Sequence, residues 1–182
     1  MKKKLIIVTG NSLKFRELSD ELDKFFVCEQ GTLDGYNEIQ GKPEEIILHK
    51  LQSAYSYFQS PVLVDDTSLH FDELGGFPGP YIKDFINHMP SHKMGVKFAG
   101  SRVQVGCRLG LYDGQGEPII SVGEVHGTVV VPKEIDDGQR EFDQFVQLDG
   151  MDRPMLEYNA HEKNKFSHRG KALEDLISKL GK

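Results

Sequence analysis

Leu5-Ile6-Ile7-Val8-Thr9-Gly10-Asn11-Ser12 is the stretch that decides the fold. Leu5–Val8 is a short, continuous apolar run rich in β-branched residues, the pattern of a strand buried on both faces. The run breaks at Thr9-Gly10, and Asn11 or Ser12 is placed to cap a following helix. Leu18, Leu22, Phe25 and Phe26 are expected on the inward stripe of that helix. Strand, glycine turn and capped helix together aim backbone N–H groups at an anion.

Working outward, residues 32–42 lack periodicity and read as a loop. Pro43 suits the first turn of a helix, with Glu44 and Glu45 favourable beside its positive end. Ile47, Leu51, Ala54 and Phe58 then recur at helical spacing, and Ser60-Pro61 stops the helix. Val62-Leu63-Val64 is a second buried strand, running into Asp65-Asp66-Thr67. Gly75-Gly76-Phe77-Pro78-Gly79-Pro80-Tyr81 is a structured turn, followed by a short helix over 82–89. From Arg102 the period changes to two: Val103, Val105, Cys107, Leu109 and Leu111 alternate with more polar or smaller residues, which predicts a half-exposed strand. Asp113-Gly114-Gln115-Gly116 is a hairpin turn, and residues 119–125 and 128–131 continue an antiparallel meander. A last helix turns Ala172, Leu173, Leu176, Ile177 and Leu180 inward and stops at Gly181. The expected fold is α/β, a mixed elongated sheet flanked by helices. Residues 1–182 are expected to form a single domain of two lobes with a central substrate cleft.

The 182 residues carry a formal charge of -6 and are 38% hydrophobic, enough for one packed core. The acidic balance argues against a nucleic acid polymer as partner. Lys2-Lys3-Lys4 followed by Leu5–Val8 is too short for a secretory core or a membrane span. Cys28 and Cys107 are the only cysteines, so a disulfide framework or zinc site is not expected and a reducing cytoplasm is.

Three places carry candidate chemistry. Asp65-Asp66 follows a buried strand, where α/β proteins place ligands. Two acids there suit a hard cation such as magnesium, and equally a polar turn. Thr9-Gly10-Asn11 with Lys14 is either a phosphate cradle or a capped turn with a solvated lysine. The run 162–169 gathers Lys163, Lys165, His168 and Arg169 before the last helix; it reads as an anion site or as a solvated charge run with Ser167 as cap. Lys50, opposite the apolar stripe of its helix, reads alone as a surface lysine.

Taken together, the motifs resemble the inosine triphosphate pyrophosphatase family. They are Thr9-Gly10-Asn11 with Lys14 and Glu17, Glu38-Ile39-Gln40-Gly41, Lys50, the segment 62–69, Gly75–Lys83, Glu162-Lys163-Asn164 and Ser167–Leu173. The resemblance runs from Ile6 to Leu180. It implies Mg2+-dependent hydrolysis of aberrant purine nucleoside triphosphates (ITP, dITP, XTP) to the monophosphate and pyrophosphate, by a cytoplasmic homodimer that cleanses the nucleotide pool. On this chain it implies Glu38 and Asp66 as metal ligands, and Asp66 with Asp65 as the groups that orient or deprotonate water. Lys14, Lys50, Lys163 and Arg169 would clamp phosphates, with backbone donors from the Thr9-Gly10-Asn11 turn. The family's aromatic-glycine-aromatic-Asp-Pro run falls on Arg140-Glu141-Phe142-Asp143-Gln144. Phe142 and Asp143 are kept there, and the other three positions differ. His168 resembles the histidine that reads the 6-keto group. Two alternatives remain: the same reaction on a different base, because of the altered 140–144 segment, or a nucleotide-binding module that does not hydrolyse.

Overall fold

A computed structural model describes residues 2–133 and 142–181. The strands are β1 (Lys3–Val8), β2 (Phe26–Gly31), β3 (Val62–Phe71), β4 (Pro78–Gly79), β5 (Arg102–Tyr112), β6 (Ile119–Val129) and β7 (Val146–Leu148). The helices are α1 (Ser12–Leu22), α2 (Pro43–Phe58), α3 (Ile82–His88), α4 (Ser91–Lys97), α5 (Ala160–Asn164) and α6 (His168–Leu180). The strands form a seven-stranded mixed sheet in the order β2-β1-β3-β5-β6-β7, with β4 paired to β3. β1 runs parallel to β2 and to β3, while β4 on β3 and β7 on β6 are antiparallel. The α/β class with its mixed sheet is thus the one expected from the sequence.

Cα packing divides the chain into two units. The first holds residues 1–66, 107–123 and 169–182. In it the apolar run of β1 is covered on both faces, which explains its unbroken hydrophobicity. Leu5, Ile7 and Leu63 pack with Leu18 and Leu22 of α1 and Leu173 and Leu176 of α6. Ile6, Val8, Val62 and Val64 pack instead with Ile47, Leu51 and Ala54 of α2. Truncating one of these fully buried side chains, Leu63→Ala for instance, costs about 2–5 kcal/mol by transfer and cavity terms. The second unit, residues 67–106 and 124–168, has its own core, in which Leu69, Phe71, Met94, Val105, Phe145 and Val146 are central.

Several expectations are corrected. α1 stops at Leu22: Phe25 is exposed in the turn, and Phe26 opens β2, a strand the sequence did not suggest. β2 has only one neighbour, β1, and much of it is exposed, so no apolar run announces it. β3 continues past Val64 for ten residues in all, so Asp65 and Asp66 lie inside the strand and not beyond its end. The meander segments 119–125 and 128–131 are one strand, β6, which ends at Val129. α4, β7 and α5 are short elements without a periodic signature.

Candidate active site

In the first unit, the alternation of β3 sorts two adjacent acids. Asp65 continues the parity of Leu63, on the face covered by α1 and α6. Asp66 continues the parity of Val62 and Val64, on the face covered by α2. Both are buried, at 5% and 8% exposure.

On the first face, Lys14 Nζ of α1 donates to Asp65 Oδ2 at 2.9 Å, and Arg169 Nη2 of α6 lies 3.8 Å from the same oxygen. Arg169 also donates through Nη1 to Glu17 Oε2 of α1. Glu17 and Arg169 are nearly fully buried, so they form a charge pair shielded from water. The sequence motif contained Glu17 without revealing a role; its signal was an acid three residues after Lys14, on the same side of the helix. On the other face, Lys50 Nζ of α2 donates to the main-chain oxygen of Asp65 at 2.6 Å and lies 3.9 Å from Glu38 Oε1. Lys50, taken alone a surface lysine, is therefore turned toward the acids.

The two faces separate the carboxyls chemically. Burial pushes Asp65 up, and Lys14, Arg169 and Lys50 more than reverse this, holding it well below the ordinary carboxylate range. Burial also raises Asp66, to about 7; the charges of Glu38 and Asp65 add to the rise while Lys50 and Lys14 oppose it. One acid is thus kept ionised beside cations, and its neighbour is poised to exchange a proton near neutrality.

The Thr9-Gly10-Asn11 turn closes the end of β1. Thr9 N donates to Gly31 O at 2.9 Å, and Thr9 Oγ1 accepts from Asn11 N at 3.1 Å. Asn11 is the cap of α1, its Oδ1 accepting from Leu13 N and Lys14 N at 2.9 and 3.2 Å. The amides of Asn11, Leu13 and Lys14 are thus engaged by side chains, and the space over Gly10 is open.

The second unit gathers the other candidates. Phe142, Asp143 and Gln144 form a buried single turn. Lys163 Nζ of α5 donates to Asp143 Oδ2 at 2.8 Å, and the Phe142 and His168 rings lie 5.8 Å apart at 48°. Glu162, in the same motif as Lys163, accepts from Asn159 N at 2.9 Å and so helps cap α5. Arg140 and Glu141 lie outside the described residues. The structure therefore brings Thr9, Gly10, Asn11, Lys14, Glu38, Lys50, Asp65, Asp66 and Arg169 into the first unit, and Phe142, Asp143, Lys163 and His168 into the second.

Among the described residues no three or more His, Cys, Asp or Glu side chains group as a metal cage. The donor set on offer is Asp66 with Glu38, whose charge reaches the Asp66 carboxyl. Such hard oxygens suit a magnesium ion that keeps waters and shares phosphate oxygens.

A family model described as the Ham1 family matches residues 5–179. The inosine triphosphate pyrophosphatase of Pyricularia oryzae is 36% identical over 181 residues, covering 96% of this chain and 92% of that protein. The protein of the same name from Neurospora crassa is 37% identical over 175 residues, covering 93% and 88%. Among solved structures, a HAM1 protein from Coxiella burnetii superposes with a TM-score of 0.78 at 21% identity, covering 100% of this chain and 99% of that one. The Staphylococcus aureus Ham1 protein gives 0.71 at 21% identity, with 98% of each chain covered. At that identity the structural likeness speaks to the fold alone.

Proposed function

The chain belongs to the Ham1 family, and from that premise we propose that it is a nucleoside triphosphate pyrophosphatase. It cleaves between the α and β phosphates and releases the monophosphate and pyrophosphate. The proposed substrates are aberrant purine triphosphates: ITP, as in the names of its relatives, and dITP and XTP, which carry the same 6-keto group. The observation that carries this reading is the buried Asp65–Asp66 pair with Lys14, Lys50 and Arg169 gathered around it.

Charge balance explains why a divalent cation belongs to the reading. The three cations share the cluster with four carboxylates, those of Glu17, Glu38, Asp65 and Asp66. With Asp66 raised to about 7, the cluster has no clear surplus of positive charge to receive a polyanion. Glu38 and Asp66 would hold Mg2+, which when bound neutralises the polyphosphate and acidifies its water. Asp66 orients the attacking water and accepts its proton. Lys14, Lys50 and Arg169 clamp phosphate oxygens, and Asp65 holds two of these cations ready. Thr9, Gly10 and Asn11 shape the phosphate end. Phe142 stacks on the base, His168 reads its 6-keto group, Asp143 borders the base, and Lys163 is a further phosphate clamp. A cytoplasmic homodimer, as the family resemblance implies, completes the reading.

The test is pyrophosphate release from ITP, dITP, XTP, GTP, ATP and pyrimidine triphosphates, with magnesium and with chelator. Magnesium-dependent release strongest for ITP and XTP is expected. Preference for another base would move the specificity and keep the chemistry. No release from any of them would sink the reading and leave a binding role.

A further inference from the structure

Glu38 sits in the segment between β2 and α2, which has no helix or strand of its own. A ligand on such a loop is only as well placed as the contacts that hold the loop. At the near end, Leu33 packs against the core that contains Ile6 and Val8. At the far end, Lys42 N donates to Glu45 Oε2 at 2.8 Å, capping α2. Between them, two residues before Glu38, Tyr36 reaches across to α2. Its Oη lies 3.3 Å from His49 Nδ1, and the two rings are 5.8 Å apart at 34°. His49 precedes Lys50, the cation 3.9 Å from Glu38 Oε1.

We propose that the Tyr36–His49 contact is a positioning device that fixes the Glu38 loop against α2 and so sets the affinity for the divalent cation. Neither residue touches the reacting atoms; they act through Glu38. The contact closes either way, the phenol O–H donating to Nδ1 or an Nδ1–H donating to the phenol oxygen, according to the imidazole tautomer. The pair ties residue 36 to residue 49, and the main chain carries that constraint over one residue to Glu38 and over none to Lys50. A carboxylate freed to wander must be ordered again each time a cation binds, which weakens binding and leaves the chemistry of the loaded site intact.

The inference rests on the assignment of Glu38 as a metal ligand, so the experiment tests both. Binding of Mn2+ to the nucleotide-free protein is measured by electron paramagnetic resonance for wild type, Glu38→Gln, Tyr36→Phe and His49→Ala. Magnesium titrations of ITP turnover accompany it. Glu38→Gln is expected to abolish tight Mn2+ binding, while Tyr36→Phe and His49→Ala each weaken it about three- to tenfold, the scale of one lost hydrogen bond. The double variant should weaken it no further than either single one. Excess magnesium should then restore wild-type kcat, a split that a general loss of folding would not give. If Glu38→Gln loses Mn2+ while both tether variants bind it as wild type does, the positioning role is overturned and the metal assignment stands. If Glu38→Gln itself binds as wild type does, the metal assignment fails and the inference with it.

Discussion

Lys14 Nζ donates to Asp65 Oδ2 at 2.9 Å, and this contact helps to set the proton affinities of two neighbouring acids apart. Asp65 is held ionised by Lys14 and Arg169, whereas Asp66, one residue on and facing α2, is raised to about 7. Asp66→Asn is therefore expected to lower kcat by about 10³-fold or more with the circular dichroism spectrum unchanged. Lys14→Met should cost about 10²-fold in kcat/KM. Wild-type turnover by Asp66→Asn would remove Asp66 from the mechanism.

The same two residues give the metal-free protein opposite pH dependences. Asp66 binds its proton more tightly folded than unfolded, where a carboxyl titrates near pH ~4. Its contribution is complete below that pH and is lost as pH rises through about 7. Asp65 is lowered on folding, so its contribution is present above pH ~4 and is lost on acidification. In chelator, thermal melts should show Asp66→Asn gaining on wild type by up to about 4 kcal/mol between pH 4 and 8. Parallel pH profiles for the two proteins would contradict the raised Asp66 carboxyl.

Glu17 and Arg169 are buried partners. Glu17→Met takes away the acid that Arg169 Nη1 donates to and leaves the guanidinium, away from water, with Asp65 at 3.8 Å. Glu17→Met is expected to destabilise by about 3–5 kcal/mol, and adding Arg169→Met should recover part of that loss, because Asp65 then loses one of its cations. Urea denaturation of Glu17→Met, Arg169→Met and the double variant measures it. A double variant as unstable as the sum of the single ones would mean the pair is not coupled.

Gly127 of β6 pairs with Leu148 of β7, and a Cβ built there would stand 2.5 Å from the main-chain oxygen of Gln147. Backbone cannot yield as a flexible side chain can. Gly127→Ala should therefore displace β7 and cost about 1–3 kcal/mol, as overpacking does. Amide exchange at residues 146–148 should accelerate; unchanged protection there would show that the added Cβ is accommodated with the β6–β7 pairing intact.

Much of this was legible in the residues. Leu5–Val8 and Val62–Val64 announced buried strands because both faces of each are covered, and α2 and α6 showed their stripes because each buries one side. β2 was hidden for the opposite reason: its partly exposed residues blur the pattern, and Phe25 and Phe26 mimicked a continuing helix. Tyr36 and His49 were invisible because loop residues have no period, and their relation arises only when residues 32–42 fold back along α2. Lys163 read as one of a cluster of cations at a helix start, and the fold commits its ammonium to Asp143, twenty residues earlier.

The sequence by itself determined the α/β class, the family motifs and the set of acids and bases at the site. These depend on local pattern: hydrophobic runs, caps and residue types at fixed spacing. Even the opposed directions of Asp65 and Asp66 follow from the two-residue period, once the strand is known to continue through them. Tertiary structure alone decided which charges are neutralised by which. Lys14 and Arg169 come from helices α1 and α6, at opposite ends of the chain, and only their packing on one face of β3 places both beside Asp65 while Lys50 and Glu38 share the other face with Asp66. Proton affinity is a property of that assembled field, because burial and the distance to each charge set it, and neither is written in any one stretch of chain.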